Sequence, residues 1–392
     1  MPRLLTTVTL SIVLPLLTLL GAQARPCIVT DAEWNLLAFG FDGKDYNAGS
    51  QDTWASDATP TEITADSRPP FNSPVTTCYL SEFANSIYVL NGDSSSPSTV
   101  HIYNVPSKAW TSHPVALGDY QASSPNTAVI LDRDTDVFYS LSAGQMYAVN
   151  MTAVTEAPNG EPSPGEDKEW KLVGQSPFEG YDRPTMALAQ NHIHFIGVPG
   201  LQDGDADVFV IHFSYFQPET QKYGDFPSTH GQTASMFLAT GPVQEEFAFI
   251  PDDGSNTYII NVVSNTTQTI PGPSTKDANA TYFGLPTALI QLASDGAVSF
   301  LAYNGEDASK NAAASWEGVK VLPAVEDVVN GGSSSGNGDG NGNPGNTGNG
   351  NGNGGGDSNA QGGGEEGSAL SLSARVGMVV GVLGLVVGLV GV

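Results

Sequence analysis

Short runs rich in Val, Ile, Phe and Tyr alternate with turn-forming residues between Cys27 and about Asp327. No long stretch of this segment carries apolar residues at the helical period. Strand-forming runs bounded by clusters of Gly, Pro, Asn and Asp are typical of an all-β domain. The runs with this pattern are Trp34–Phe39, Ser86–Leu90, Val100–Tyr103, Asp136–Leu141, Gln145–Val149, His192–Ile196, Val208–Phe213, Glu246–Ile250, Thr257–Ile260 and Ala297–Leu301.

An apolar triplet recurs along this segment at steps of 50, 50, 56, 54 and 51 residues. The triplets are Leu37–Phe39, Ile87–Val89, Val137–Tyr139, Ile193–Phe195, Phe247–Phe249 and Val298–Phe300. A period of this length predicts a single β-propeller of six or seven four-stranded blades. A seventh blade could lie near Asp52–Asn72 or Pro227–Thr240. A jelly roll or sandwich is the alternative fold.

Two segments resemble known propeller blades. Ile87–Asp93 followed by Val100–Trp110 resembles one kelch blade, and His194–Gly197 with Phe209–Tyr223 is a looser copy. The resemblance is to kelch-type or galactose-oxidase-like propellers, and it covers Trp34 to about Leu322 as spacing but only two blades as motif. The galactose-oxidase branch implies a copper site made of tyrosines, histidines and a cysteine cross-linked to tyrosine.

The ends of the chain predict targeting signals. Arg3 and the apolar run Leu10–Leu20 precede a site of small residues, so residues 1–24 are interpreted as a signal peptide cleaved after Ala24. An N-terminal membrane anchor is the alternative, although the run is short for a bilayer. The folded domain is then expected over residues 25–327.

The C-terminal part divides into a linker and a hydrophobic tail. Residues 328–367 are almost entirely Gly, Asn, Ser and Asp, a composition that predicts a disordered stalk. Residues 368–392 are interpreted as a glycosylphosphatidylinositol (GPI) attachment signal, with Gly362, Gly367 and Ser358 as candidate attachment residues. The alternative is a spanning helix that pairs through its Gly-x-x-x-Gly spacings.

Composition and cysteine content narrow the functional classes. The chain has 14 Lys+Arg and 41 Asp+Glu, a net charge of −27, which excludes a basic nucleic-acid-binding protein. Cys27 and Cys78 are the only cysteines, and in a secreted chain we expect them to form a disulfide. Since that pairing would occupy both thiols, no residue is assigned to the copper site that the resemblance implies, and no cofactor is expected. Sequons at Asn150, Asn265 and Asn279 are expected to carry N-glycans.

Several residue groups suggest chemistry and also have ordinary structural interpretations. His192, His194 and His212 could begin a metal site, but strand histidines with ordinary partners are favoured. The acidic strings Asp132–Asp136 and Asp203–Asp207 could hold calcium, but Asp-rich hairpin turns are favoured. Loop aromatics could stack on sugars or pack between blades; they are Phe178, Tyr181, Tyr215, Phe216, Tyr223 and Phe226.

These patterns predict a glycoprotein on the extracellular face of the plasma membrane or cell wall, similar to secreted GPI-anchored fungal-type surface proteins. Its propeller is expected to serve as a binding or structural module for an extracellular protein or glycan, without catalysis. The alternative is an extracellular carbohydrate-active enzyme, either a glycoside hydrolase or a copper-radical oxidase. Paired carboxylates for glycoside hydrolysis leave no linear motif, so the sequence leaves this alternative open.

Overall fold

The segments that alternate between apolar and turn-forming residues fold into six sheets in the computed structural model of the chain. The structure describes residues 25–152, 154, 167–237 and 243–323, which belong to the first of two units, Met1–Gly332. The predicted signal peptide, linker and GPI attachment signal lie outside the described residues; they are segments 1–24, 328–367 and 368–392. The three candidate GPI attachment residues also lie outside them. The six sheets are the blades of an all-β propeller. The number of blades is therefore six, the lower of the two predicted numbers.

The blades are numbered in chain order, and their strands run from the inner edge outward. Blade 1 contains β1 (Cys27–Thr30), β2 (Leu36–Phe41), β3 (Lys44–Asn47) and β4 (Thr61–Glu62). Blade 2 contains β5 (Thr77–Ser81), β6 (Ser86–Leu90), β7 (Thr99–Asn104) and β8 (Ala109–Ala116). Blade 3 contains β9 (Thr127–Asp132), β10 (Val137–Ser142), β11 (Gln145–Asn150) and β13 (Lys171–Gln175). Between β11 and β13, the short strand β12 (Lys168–Glu169) pairs in parallel with β8 of blade 2.

Blade 4 contains β14 (Thr185–Ala189), β15 (His192–Ile196), β16 (Asp205–Val210) and β17 (Tyr215–Phe216), and β18 (Gln221–Lys222) also pairs with β16. Blade 5 contains β19 (Gly231–Met236), β20 (Glu246–Pro251), β21 (Asn256–Asn261) and β22 (Thr266–Pro271). Blade 6 contains β23 (Thr281–Gly284), β24 (Ala288–Leu292), β25 (Val298–Ala302) and β26 (Trp316–Gly318), with the helix α1 (Ala308–Ala313) before its last strand.

The recurring apolar triplets mark the second strand of the blades. Five of the six triplets lie in β2, β6, β10, β15 and β20. A second strand is covered on both faces by neighbouring blades and flanked by strands on both sides, so it reads as a continuous apolar run. In blade 6 the equivalent strand is β24, where the buried Gln291 interrupts the apolar run. The sixth triplet, Val298–Phe300, therefore lies in the third strand, β25.

The two segments considered for a seventh blade have other places in the fold. Asp52–Asn72 contains a 3-10 turn and the short strand β4, both in blade 1. Pro227–Thr240 contains β19, the inner strand of blade 5. Every strand within the described ranges belongs to one of the six blades.

Neighbouring blades pack against each other through hydrophobic clusters. One cluster joins blades 2 and 3 through Tyr88, Phe138 and Trp170, and further clusters join blades 3 and 4, blades 4 and 5, and blades 5 and 6. The largest cluster joins blades 6, 1 and 2. Sheet faces buried against sheet faces explain why the ring forms without long helices.

The ring closes between blades 6 and 1 without a shared strand, since blade 1 contains only β1–β4 and blade 6 only β23–β26. The segment after β26 crosses to blade 1, where the backbone N–H of Lys320 donates to the carbonyl of Trp54 at 2.7 Å. Val319, Val321 and Leu322 of this segment are buried in the largest cluster. We call this junction the seam.

The predicted disulfide is confirmed. It joins Cys27 of β1 to Cys78 of β5, with 5.9 Å between their Cα atoms, and it therefore ties the inner strands of blades 1 and 2. Within the described part of the chain, no helix has both the length and the apolar character needed to cross a membrane.

Candidate functional site

The inner strands enclose a central channel with a cavity of about 590 Å³. Its wall is formed by residues of β5, β9, β14, β19 and β23. Two hydrogen bonds join the neighbouring inner strands β14 and β19. Near the start of both strands, Thr185 Oγ1 donates to the Gly231 carbonyl at 3.1 Å. Further along both strands, Ser235 Oγ donates to the Leu188 carbonyl at 2.8 Å. These inner strands therefore run in the same direction, and all begin at one end of the channel.

The spacing between inner strands depends on small residues. Gly284 of β23 faces the backbone of Ser235 in β19, where an added Cβ would overlap the carbonyl oxygen. A glycine is therefore needed for the two backbones to approach this closely. Ala, Thr and Ser recur along the rest of the wall, beside larger side chains such as Ile130, Met186 and Tyr282.

We call the end where the inner strands begin the mouth, and define it by Arg25, Arg183, His230 and Asn279. Arg25 and Arg183 each lie two residues before an inner strand, β1 and β14 respectively, and His230 directly precedes β19. The Arg25 guanidinium donates to the backbone carbonyl of Asn279. All four residues line the channel.

Asp252 is the carboxylate that organises one side of the mouth. Nδ1 of His230 lies 2.7 and 2.8 Å from its two oxygens. Nη2 of Arg183 lies 3.9 Å from the nearer oxygen, beyond hydrogen-bonding distance. Asp252 therefore fixes the imidazole, while the Arg183 guanidinium forms no hydrogen bond with the described residues.

The opposite end of the channel, which we call the floor, is closed by Arg133, Phe237, Phe283 and Trp34. The guanidinium carbon of Arg133 lies 3.0 Å from the centroid of the Phe237 ring and 5.8 Å from that of Phe283. Trp34 packs edge-on against Phe237 at 4.7 Å. Burial lowers the pKa of Arg133 to about 9, and the nearby carboxylates of Glu82 and Asp134 oppose that shift. At pH 7 the floor therefore carries a cation held against aromatic faces.

The histidines proposed as a possible metal site have ordinary partners. His194 is buried, with Nδ1 3.3 Å from the Tyr223 hydroxyl and Nε2 3.3 Å from the Ala189 carbonyl. Burial lowers its pKa to about 3. His212 is exposed and lies near Asn191. No group of three or more His, Cys, Asp or Glu side chains arranged to hold a metal occurs in the described ranges.

The acidic strings also have structural roles. The first spans the turn between β9 and β10, where the Asp132 carboxylate accepts from the Thr135 hydroxyl at 2.6 Å and Asp136 accepts from Ser81 at 2.9 Å. The second begins in the loop before β16, where Asp203 accepts from the backbone N–H of Ser228 at 2.8 Å. Its later residues, Asp205 and Asp207, already belong to β16.

The loop aromatics pack mainly between strands and blades. Phe178 contacts Phe195 and Phe216 edge-on at 5.0 and 5.3 Å. The hydroxyl of Tyr181 donates to the carbonyl of Ile196 at 2.6 Å. Tyr223 and Phe226 are buried, and of the six only Tyr215 is an exposed side chain.

The three sequon asparagines are exposed at the surface and lie at two ends of the ring. Antiparallel strands reverse direction at each turn, so the third strand of a blade ends at the floor end. Asn150 ends β11 and Asn265 follows β21, which places both at that end. Asn279 lies at the mouth, two residues before β23. Their glycosylation stays a prediction.

The cationic residues of the channel were not predicted from the sequence. Arg25, Arg133, Arg183 and His230 share no motif. Their common feature is a position within two residues of one end of an inner strand. That signal is usable only when the inner strands are known, and these strands lack the strong apolar runs of the second strands.

The sequence matches no protein-family model and no curated protein. Among solved structures, one chain in a crystal structure of a nidogen/laminin complex is similar to this chain, with a TM-score of 0.40 and 8% sequence identity. The similarity covers 66% of this chain and 83% of that chain. A likeness of this extent bears on neither the ligand nor the activity of this chain.

Proposed function

We propose that the protein is a secreted, glycosylated, kelch-type propeller, GPI-anchored to the outer leaflet of the plasma membrane or retained in the cell wall. Its propeller binds an extracellular protein or glycan. The observation that carries the binding role is the central channel, which is closed at the floor and lined by polar and cationic groups at the mouth. Concave sites with a few convergent polar groups are the usual form of a binding site.

The disulfide supports the extracellular part of the proposal. Disulfides persist in oxidising compartments and are rare in the cytosol, and Cys27 and Cys78 are bonded to each other. The exposure of Asn150, Asn265 and Asn279 is compatible with glycosylation of each.

The enzymatic alternative receives less support from the channel. A glycoside hydrolase needs two carboxyl groups on either side of the bond that it cleaves, whereas the described part of the chain contributes no Asp or Glu to the channel lining. A copper-radical site needs a cysteine cross-linked to tyrosine, and both cysteines are committed to the disulfide. The residues present therefore do not fit that copper centre.

The anchor is tested with phosphatidylinositol-specific phospholipase C on membranes of cells that express the full chain. We expect release of the protein, because this enzyme cleaves a lipid anchor and leaves a spanning helix in place. A triple variant in which Trp replaces each of Ser358, Gly362 and Gly367 should not be released. Gly352→Trp, upstream in the linker, serves as the control. Release-resistant wild-type protein would contradict the anchor.

The binding role is tested by screening the purified protein against extracellular glycans and proteins, with turnover of each bound glycan measured in parallel. We expect saturable binding without product formation. Product formation that the protein catalyses would replace the binding role with the enzymatic alternative.

A further inference from the structure

The charge of the channel is opposite to that of the chain. The full sequence has 41 acidic and 14 Lys+Arg residues, yet among the residues that the structure describes the channel is lined by Arg25, Arg133, Arg183 and His230 and by no carboxylate. Residues 25–323 contain only one other arginine, Arg68, which is paired with Asp45. Three of the four arginines of the described region are therefore directed to one cavity.

Arg183 is the most available of these cations. Its side chain is about half exposed, at 52%, and its nearest carboxylate, Asp252, is engaged with His230. Its backbone adopts φ +51°, a left-handed conformation that non-glycine residues rarely occupy. Strained backbone of this kind persists where the surrounding structure enforces it, and it concentrates at ligand sites.

Arg25 brings a second guanidinium to the mouth. It reaches the carbonyl of Asn279 at the start of blade 6, while Arg183 approaches Asp252 of the neighbouring blade 5. Asp277, the acidic neighbour of Arg25, accepts hydrogen bonds from the backbone N–H groups of Asn279 and Ser294 at 2.8 and 2.6 Å. Asp252 and Asp277 thus accept hydrogen bonds from other donors, and the two guanidinium groups keep donors for a ligand.

We propose that the mouth binds the oxyanion group of a small polar ligand, a carboxylate, sulfate or phosphate, through Arg183 and Arg25. The planar guanidinium fork matches the geometry of these groups. The cavity of about 590 Å³ fits a ligand the size of one or two sugar units. This inference rests on the proposed binding role and adds the charge of the ligand to it.

The same anionic chemistry occurs in a free sugar acid and at the end of an acidic polysaccharide. Titration calorimetry of the full-length protein, before and after enzymatic removal of N-glycans, uses glucuronate, glucose 6-phosphate, glucose 6-sulfate and a galacturonate oligomer as probes. Glucose is the uncharged control. Binding of the monomers indicates a free small molecule, and binding of the oligomer alone indicates a polymer end; either supports an anion site.

The matched variants are Arg183→Gln and Lys171→Gln, which remove one positive charge each, at the mouth and on the exposed outer strand β13. We expect at least one anion to bind about tenfold more tightly than glucose, and Arg183→Gln to weaken that binding about tenfold or more. Lys171→Gln should leave it within about twofold. Arg183→Lys keeps the positive charge but loses the planar guanidinium, so its affinity for the anion should lie between those of the wild type and Arg183→Gln.

Three results would overturn the proposal: no binding of any anionic probe, equal affinity for glucose and the anions, or equal effects of Arg183→Gln and Lys171→Gln. The wild-type comparison of charged and uncharged probes decides the matter even if a variant fails to fold. If neutral glycans or proteins bind in the screen while all anions fail, the binding role stands and only the anion site is lost.

Discussion

Asp45 and Arg68 form a bidentate ion pair inside blade 1. Nε and Nη2 of Arg68 lie 2.9 and 2.8 Å from the carboxylate oxygens of Asp45, which is fully buried. The same carboxylate accepts the backbone N–H of Gly40 at 2.9 Å. A carboxylate buried this deeply depends on its partner, because its desolvation is otherwise uncompensated.

Arg68→Met should therefore lower the free energy of unfolding by about 3–5 kcal/mol. Urea denaturation of the full chain measures this value. Adding Asp45→Asn to Arg68→Met should recover part of the loss, since the uncompensated charge is then gone. Lys44→Gln, which breaks the exposed pair with Glu62, is the control and should have little effect. Equal losses for Arg68→Met and Lys44→Gln would contradict this account.

His194 makes the stability of the fold sensitive to acid. Burial lowers its pKa to about 3 in the folded protein, whereas an unfolded histidine titrates near 6.5. Between these values the unfolded chain binds a proton that the folded chain does not. The contribution of this group is therefore fully present above about pH 6.5, and it falls by about 1.4 kcal/mol per unit as the pH decreases toward 3.

Replacing this residue by His194→Gln should remove that part of the pH dependence. Urea denaturation at pH 7, 6, 5 and 4 should give a smaller decline in stability for the variant than for the wild type. His212→Gln, at an exposed histidine, is the control and should keep the wild-type slope. The account fails if His194→Gln retains the wild-type slope.

At the scale of the elements, the strands that the sequence reveals are those buried on both faces. β6 is buried along its whole length and appears in the sequence as Ser-Ile-Tyr-Val-Leu. The inner strand of the same blade, β5, is only partly buried because one of its faces lines the channel. Its sequence, Thr-Cys-Tyr-Leu-Ser, has too little apolar periodicity to identify it as a strand.

This difference explains what could be predicted. The period, the all-β class and the propeller followed mainly from the second strands, and the disulfide followed from the cysteine count and the predicted secretory signal. The channel could not be predicted, because its walls come from the weakly patterned inner strands. Its cations, such as Arg133 and Arg183, are 50 residues apart in the chain and line one cavity only when the blades assemble.

At the scale of the whole molecule, the ring has one junction of a different kind. Consecutive blades are joined by the continuous chain, and blades 1 and 2 also by the disulfide. The seam between blades 6 and 1 depends on packing by the segment after β26 and on the hydrogen bond from Lys320 to Trp54. The fully buried ring of Trp54 also contacts Phe300 of β25 edge-on at 5.3 Å. We therefore expect the propeller to open first at the seam.

Val321→Ala tests this expectation, because it removes two methyl groups from the seam without adding a polar atom. We expect a loss of about 2 kcal/mol in the free energy of unfolding, together with faster hydrogen exchange in β1–β3 and β24–β26 than in blades 3 and 4. Val263→Ala, the same change at a side chain that is 56% exposed, is the matched control and should alter neither quantity measurably. Exchange that accelerates equally in all six blades would mean that the ring unfolds as one cooperative unit, and that the seam is no weaker than the other blade interfaces.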